Sequence, residues 1–229
     1  MSFEKDSKVW DLYHQKTATG GLIVSKYAQE KEALFPRNSV IIDLGGGVGA
    51  DAMYFLEKGH SVIILDISQY ALGIAMANAK KKGFESKLII KQVDFSLHRI
   101  PLKPATVDIA YSRLSLNYFD KSETALLLQD IFTILKPGGK AFLTFKSPDE
   151  VEEIQYLRKH ATLLEENVFI DNGQIRSRFS ISQLEQILKA AGIVGFEVNP
   201  YSEGVGNDVA GTQRQIVYNE VLFTKPNIS

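Results

Sequence analysis

The chain has 229 residues, 45% apolar and 23% charged, with a formal net charge of −1 and no cysteine. That length and composition suit one sizeable α/β domain and exclude a chain dominated by disorder. The lack of cysteine excludes disulfides, thiolate metal sites and a cysteine nucleophile of the kind cytosine-C5 chemistry needs, and the near-neutral charge offers none of the basic surplus a nucleic-acid partner calls for.

Residues 7–33 read as two helices, with Trp10, Leu12, Tyr13, Leu22, Ile23 and Tyr27 at helical spacing and Gly20-Gly21 between them. The charged start Met1–Asp6 lacks the apolar run of a signal peptide, and no stretch approaches the ~20 apolar residues of a membrane span. We therefore expect a cytoplasmic protein. Ser39–Leu44 is a short apolar run ending in glycines, the pattern of a buried strand, and a helix follows from about Ala50 to Lys58 with Gly59 as its stop. Ser61–Asp66 is a second such strand. Ser68 can cap the helix that runs to about Lys82. Lys80-Lys81-Lys82 could be a basic patch, but cations before Gly83 suit a helix C-terminus. Lys87–Val93, ending at Asp94, and Thr106–Tyr111 are the third and fourth strands. A helix over about Ser122–Leu135 is expected to stop at Lys136-Pro137-Gly138-Gly139, before a fifth strand at Lys140–Phe145. Strands that alternate with helices in this way predict a parallel sheet with right-handed crossovers.

The remainder differs in pattern. A helix is predicted over Pro148–Leu164, then a hairpin in which Asn167–Ile170 and Gln174–Phe179 flank the turn Asp171-Asn172-Gly173. Ser182 and Glu185 read as a capping box for a helix ending at Gly192. Strands at Val194–Pro200 and Gln215–Thr224 close the chain, separated by a glycine-rich loop at 203–211. With no repeat and no linker, the expectation is one domain over residues 1–229. Helices at 1–36 would lie over a ligand-binding core at 37–146, and 147–229 would form the substrate side.

The segment Asp43-Leu-Gly45-Gly46-Gly47-Val-Gly49 joins the first strand to its helix. Glycines there allow a sharp turn and the close approach of a ligand. Gly45, Gly47 and Ala50 also fit a dinucleotide fingerprint. Asp43 argues otherwise, because a carboxylate inside the strand end suits an ammonium group and not a pyrophosphate. Asp66, about twenty residues on, can accept the hydroxyls of a ribose. Asp94 can meet an adenine amino group, with Phe95 beside the ring. The plainer reading of such acids is as N-caps or loop formers. Their shared position at the C-terminal edge of one sheet, where open α/β sheets bind ligands, favours a site.

These residues, together with Val107–Tyr111 and Leu135-Lys-Pro-Gly-Gly139, resemble the class I S-adenosylmethionine (SAM) dependent methyltransferases in order and spacing over residues 38–146. A weaker likeness extends through Ala191-Gly192 and Phe196-Glu197. The length and the helical start are also somewhat similar to the small-molecule members, including the tellurite-resistance group. The resemblance implies a Rossmann-like, doubly wound sheet of seven strands in the order 3-2-1-4-5-7-6, the last strand antiparallel, with an N-terminal helical lid. It implies a cofactor-binding set of Asp43, Gly45, Gly46, Gly47, Asp66, Ile67, Asp94, Phe95 and Ser112, with Ser112 facing the methyl-bearing side. The segment Tyr111–Tyr118 departs from the Asn/Asp-Pro-Pro-Tyr/Phe pattern of enzymes that methylate amino groups of bases or glutamine, which points to a small-molecule acceptor.

His14 and Tyr118 are the candidates for catalysis. Tyr13, His160, Arg176, Arg178, Asn207 and Asp208 are further substrate-side candidates, and Arg176 and Arg178 share a strand face. His60 and His98 read as structural or exposed. No spacing demands a metal. A nicotinamide-dependent oxidoreductase and a SAM-binding protein without catalysis remain as alternatives, since fold and pocket do not establish turnover.

Overall fold

A computed structural model describes residues 3–17, 21–97, 99–207 and 213–227. His98 and Asp208 therefore lie outside the described residues. The sheet runs through β1 (Val40–Leu44), β2 (Ser61–Asp66), β3 (Leu88–Gln92), β4 (Val107–Ser112), β5 (Leu135–Lys146), β9 (Phe196–Asn207) and β10 (Gln213–Thr224), in the spatial order β3-β2-β1-β4-β5-β10-β9. Numbered within the sheet, that order is 3-2-1-4-5-7-6, as expected. The strands from β3 to β5 pair in parallel, and β10 is antiparallel to both its neighbours.

The unbroken apolar runs arise because both sheet faces are covered. Successive side chains alternate. Ile42, Leu44, Ile63, Leu65 and Ala110 pack on α5 (Lys121–Ile134) and α7 (Ile181–Ala190). Ile41, Val62, Ile64 and Ile109 pack on α2 (Lys26–Glu32), α3 (Ala50–Glu57) and α4 (Gln69–Lys81). Ser68 caps α4 by accepting the Ala71 N–H. α1 (Phe3–Thr17) starts a turn earlier than the periodicity suggested.

A separate antiparallel sheet, β6 (Thr162–Glu165), β7 (Val168–Asp171) and β8 (Gln174–Ser177), carries the predicted hairpin. Asn172 and Gly173 both have positive φ, at 51° and 78°.

Four local expectations are corrected. The helix predicted to reach Leu164 is α6 (Val151–His160). Its buried face ends with Ile154 and Leu157, while Leu163 is 62% exposed, so the next residues pair with β7 as β6. The helix N-cap is Ser180, bonded reciprocally to Gln183, and not Ser182 with Glu185. Two overlapping boxes exist in the sequence, and the frame that buries Leu184, Ile187 and Leu188 decides between them. Lys136–Gly139 does not separate helix from strand. It is a bulge inside β5, where Val107 pairs with Leu135 and Ile109 with Lys140, and Gly138 turns with φ 76°. Finally, β9 runs on to Asn207 and β10 begins at Gln213, so part of the predicted 203–211 loop is strand.

Candidate functional site

The glycine turn leaves β1 at the C-terminal edge of the sheet. The Gly45 N–H donates to the Leu65 carbonyl at 2.7 Å. With φ at 69°, Gly45 takes a left-handed conformation, and a Cβ there would lie 2.3 Å from the Ser115 Cβ. Gly46 needs no positive φ. A Cβ on it would lie 2.5 Å from Oδ2 of Asp43, so this glycine keeps the space above the carboxylate open.

The three strand-end acids have different surroundings. Asp66 accepts the Gly47 N–H on Oδ2 and the Ser68 N–H on Oδ1, each at 2.8 Å. Asp94 accepts the Ser96 N–H at 2.9 Å and its hydroxyl at 2.6 Å. The carboxylate of Asp43, a residue only 3% exposed, accepts no hydrogen bond from the described residues. Burial first, then the neighbouring charges of Asp51 and Asp66, push its carboxyl well above the usual carboxylate range. A buried acid of this kind favours a cationic partner.

The sequence reading missed Asp51, in the first turn of α3. It accepts the Ser25 N–H and hydroxyl at 2.8 Å each and the Tyr111 hydroxyl at 2.7 Å, tying the chain before α2 to β4 and α3. Its only sequence signal was an acid at a helix start.

α1 lies over this edge. Ser7 donates to the Ile67 carbonyl at 3.2 Å, and Asp11 accepts the Ser68 hydroxyl at 2.6 Å. A Cβ on Gly47 would come within 3.1 Å of the His14 ring. Two clefts open here. One, of about 200 Å³, is lined by Asp66, Ile67, Asp94, Phe95, Ser115 and Tyr118, among others. The second, of about 330 Å³, is lined by Tyr13, Asp43, Gly46, Asp51 and Tyr111, among others. Gly45, Gly47, His14, Arg113 and Leu114 border both. Burial lowers the His14 pKa, against the opposing pull of Asp66 and Asp11.

The structure thus brings together Asp43, Gly45, Gly46, Gly47, Asp66, Ile67, Asp94, Phe95, His14, Tyr13 and Tyr118. Ser112 stands back from the lining. It is fully buried, donates to the Leu44 carbonyl at 2.9 Å and meets the Ser115 hydroxyl at 2.5 Å, and Ser115 is the residue that faces the cleft. Trp10 packs edge-on to Tyr118 at 5.1 Å, and the Arg176 guanidinium lies 4.9 Å from the Tyr118 ring centre. Burial raises the Tyr118 pKa, so its hydroxyl stays protonated at neutral pH. Arg178 is not a free anion-binding group. It is buried and pairs with Glu153 through Nη2 at 2.7 Å and Nε at 3.0 Å. His60 is structural, accepting the Ser39 N–H at 3.0 Å on Nδ1. His160 is exposed on α6 and packs on Tyr156. Asn207 ends β9.

A family model described as a methyltransferase domain matches residues 41–139, the stretch that holds the glycine turn and all three acids. Over that stretch the chain is similar to a methyltransferase domain. Carboxy-S-adenosyl-L-methionine synthase of Hydrogenovibrio crunogenus is 30% identical over 154 residues, 66% of this chain and 57% of that one. This chain therefore spans less than two thirds of that relative. Among solved structures, a SAM-dependent methyltransferase from Methanosarcina mazei superposes with a TM-score of 0.68 at 21% identity, over 86% of this chain and 97% of that one. The 1,6-didemethyltoxoflavin-N1-methyltransferase of Burkholderia thailandensis, solved with bound 1,6-didemethyltoxoflavin and S-adenosylhomocysteine, has a TM-score of 0.69 at 18% identity. It covers 98% of this chain and 88% of its own. At these identities the structural likeness is one of fold. No helix among the described residues is long and apolar enough to cross a membrane.

Proposed function

We propose that this protein transfers the methyl group of S-adenosylmethionine to a small-molecule acceptor. The observation that carries the reading is Asp43, a buried carboxylate with no hydrogen-bond partner among the described residues, beneath a glycine whose missing Cβ leaves room for an ammonium group. A pyrophosphate would meet repulsion there. Asp43 with Gly45–Gly47 would hold the methionine part of the cofactor. Asp66 with Ile67 would hold the ribose, and Asp94 with Phe95 the adenine. Ser112 would act by holding Ser115 at the cleft. Residues 1–229 work as one unit on this reading, with 1–36 over the edge, 37–146 holding the cofactor and 147–229 completing the acceptor side. The near-neutral charge supports an acceptor other than a nucleic acid, and on this reading the protein works in the cytoplasm.

Bound S-adenosylmethionine supplies a methyl group already activated on a sulfonium for in-line displacement. The chain's own contribution is alignment, a kind of effect that can account for ~7–11 kcal/mol of a barrier. An acceptor that must lose a proton can pass it to His14, which is uncharged at neutral pH because burial lowers its pKa. Tyr118 can donate a hydrogen bond to the acceptor but cannot serve as the base.

The test is calorimetric titration with SAM, S-adenosylhomocysteine and NAD, on the wild type and on Asp66→Ala and Asp43→Asn. Micromolar binding of the two SAM-type ligands, weakened in both variants, is the expected result. Binding of NAD instead, or of none of the three, overturns the proposal.

A further inference from the structure

Arg113 has no part in the cofactor assignments above, yet it borders both clefts. It is the first residue after β4, and among the described residues lining either cleft it is the one Lys or Arg. Its Nη2 donates to Oε1 of Glu203 on β9, a pairing across 90 residues of sequence. The two side chains are unequally placed, with Glu203 2% exposed and Arg113 23% exposed. The anion lies behind and the cation faces the clefts. Oε2 of Glu203 and Nε of Arg113 are both buried without a hydrogen-bond partner among the described residues, so the pair is incomplete there. The Tyr218 hydroxyl is the guanidinium's other polar neighbour; with five donors and a charge it cannot lose, Arg113 can still take a further acceptor. Beyond Arg113 the first cleft, part of which the cofactor's ribose and adenine take on the reading above, is also walled by Leu114, Tyr118 and Trp10, surfaces that suit a flat apolar body.

We propose that Arg113, held by Glu203, binds the carboxylate of the methyl acceptor, and that this acceptor is a small planar, apolar carboxylic acid. The inference rests on the methyltransferase reading of the same clefts. Arg113 acts as a specificity residue and Glu203 as the group that positions it. The carboxylate could have a second source, the methionine part of the cofactor, because Arg113 also borders the cleft of Asp43.

The experiment separates these outcomes. Wild type, Arg113→Gln and Glu203→Gln are checked for folding by thermal melting, then titrated with S-adenosylhomocysteine and with methylthioadenosine, which lacks the amino-acid part. The S-adenosylhomocysteine-loaded proteins are next titrated with benzoate, hydroxybenzoates and cinnamate, and with the matching amides. The expected result is that at least one acid binds and that its amide binds about tenfold or more weakly. Arg113→Gln should abolish that preference with S-adenosylhomocysteine affinity unchanged. Glu203→Gln, by removing the competing charge, should tighten binding of the acid. The inference is overturned if acids and amides bind alike, or if no acid binds. It is also overturned if Arg113→Gln weakens S-adenosylhomocysteine but not methylthioadenosine, which would assign the guanidinium to the cofactor. Failure of the wild type to bind S-adenosylhomocysteine is a different result, and it removes the methyltransferase reading itself. Should Arg113→Gln not fold, Arg113→Met, which keeps the apolar stem but loses the charge, must still lose the preference for acids over amides.

Discussion

Asp66 and Asp43 end neighbouring parallel strands and read alike in the sequence, but they live on opposite sides of the ridge formed by His14 and Gly47. On the Asp66 side, the Gly47 and Ser68 N–H groups bond one oxygen each of Asp66, and the Ser96 N–H and hydroxyl both bond Oδ1 of Asp94. On the Asp43 side, the carboxylate is buried, unbonded and close to a second acid, Asp51. The first half has its acids hydrogen-bonded without a ligand, although burial still raises the Asp66 pKa. The second carries an electrostatic cost that a cationic ligand would relieve, so the two halves should respond oppositely when their acids are neutralised.

The severest way to break the comparison is to remove the turn both halves share. Gly45→Ala combines left-handed strain with a collision against Ser115, and we expect it to cost about 2–5 kcal/mol of stability and to abolish S-adenosylhomocysteine binding. Urea denaturation and calorimetry would show both losses. Next in size is the ridge. If His14 is the base, His14→Asn should lower kcat by about 10²-fold with little change in S-adenosylhomocysteine affinity. Equal losses in binding and turnover would mean that it only seats the cofactor.

Neutralising the acids sharpens the contrast. Asp43→Asn should weaken S-adenosylhomocysteine by about tenfold to a hundredfold, yet stabilise the ligand-free protein by about 1 kcal/mol. Asp94→Asn should weaken binding less and give no gain in melting temperature. A loss of stability in Asp43→Asn would refute the description of a costly buried charge.

The smallest effect is in pH. The folded-state pKa of Asp43 is raised, so the native protein holds its proton to higher pH than the unfolded chain does. Stability from this group is present at low pH and lost as pH rises through the raised value. An ammonium ligand favours the ionised form, so S-adenosylhomocysteine affinity should rise with pH across the same window and binding should release a proton. Calorimetry in buffers of different ionisation enthalpy measures that release, and it should vanish in Asp43→Asn. His14 has the opposite sign. Its pKa is lowered, so turnover that depends on its neutral form should persist below the ordinary histidine range near 6.5.

The sequence by itself determined the sheet and pointed to a candidate site along its edge. Apolar runs of five or six residues can be buried only on both faces, and a glycine turn at the end of the first of them leaves few alternatives. It also placed Asp43, Asp66, Asp94 and the Asn172-Gly173 hairpin, because each depends on residues within a few positions. The tertiary structure alone decided everything that rests on distant partners. It chose Ser180 over Ser182 as a cap by burying one helix face, and it turned the end of a predicted helix into β6 because β7 was there to pair with. It set Ser115 in front of Ser112, consumed Arg178 in a pair with Glu153, and joined Ser25, Asp51 and Tyr111. It also set Glu203 behind Arg113. Local propensity and spacing carry no information about which surfaces meet across the sheet, and on this edge those meetings decide which charges are satisfied and which are left to bind.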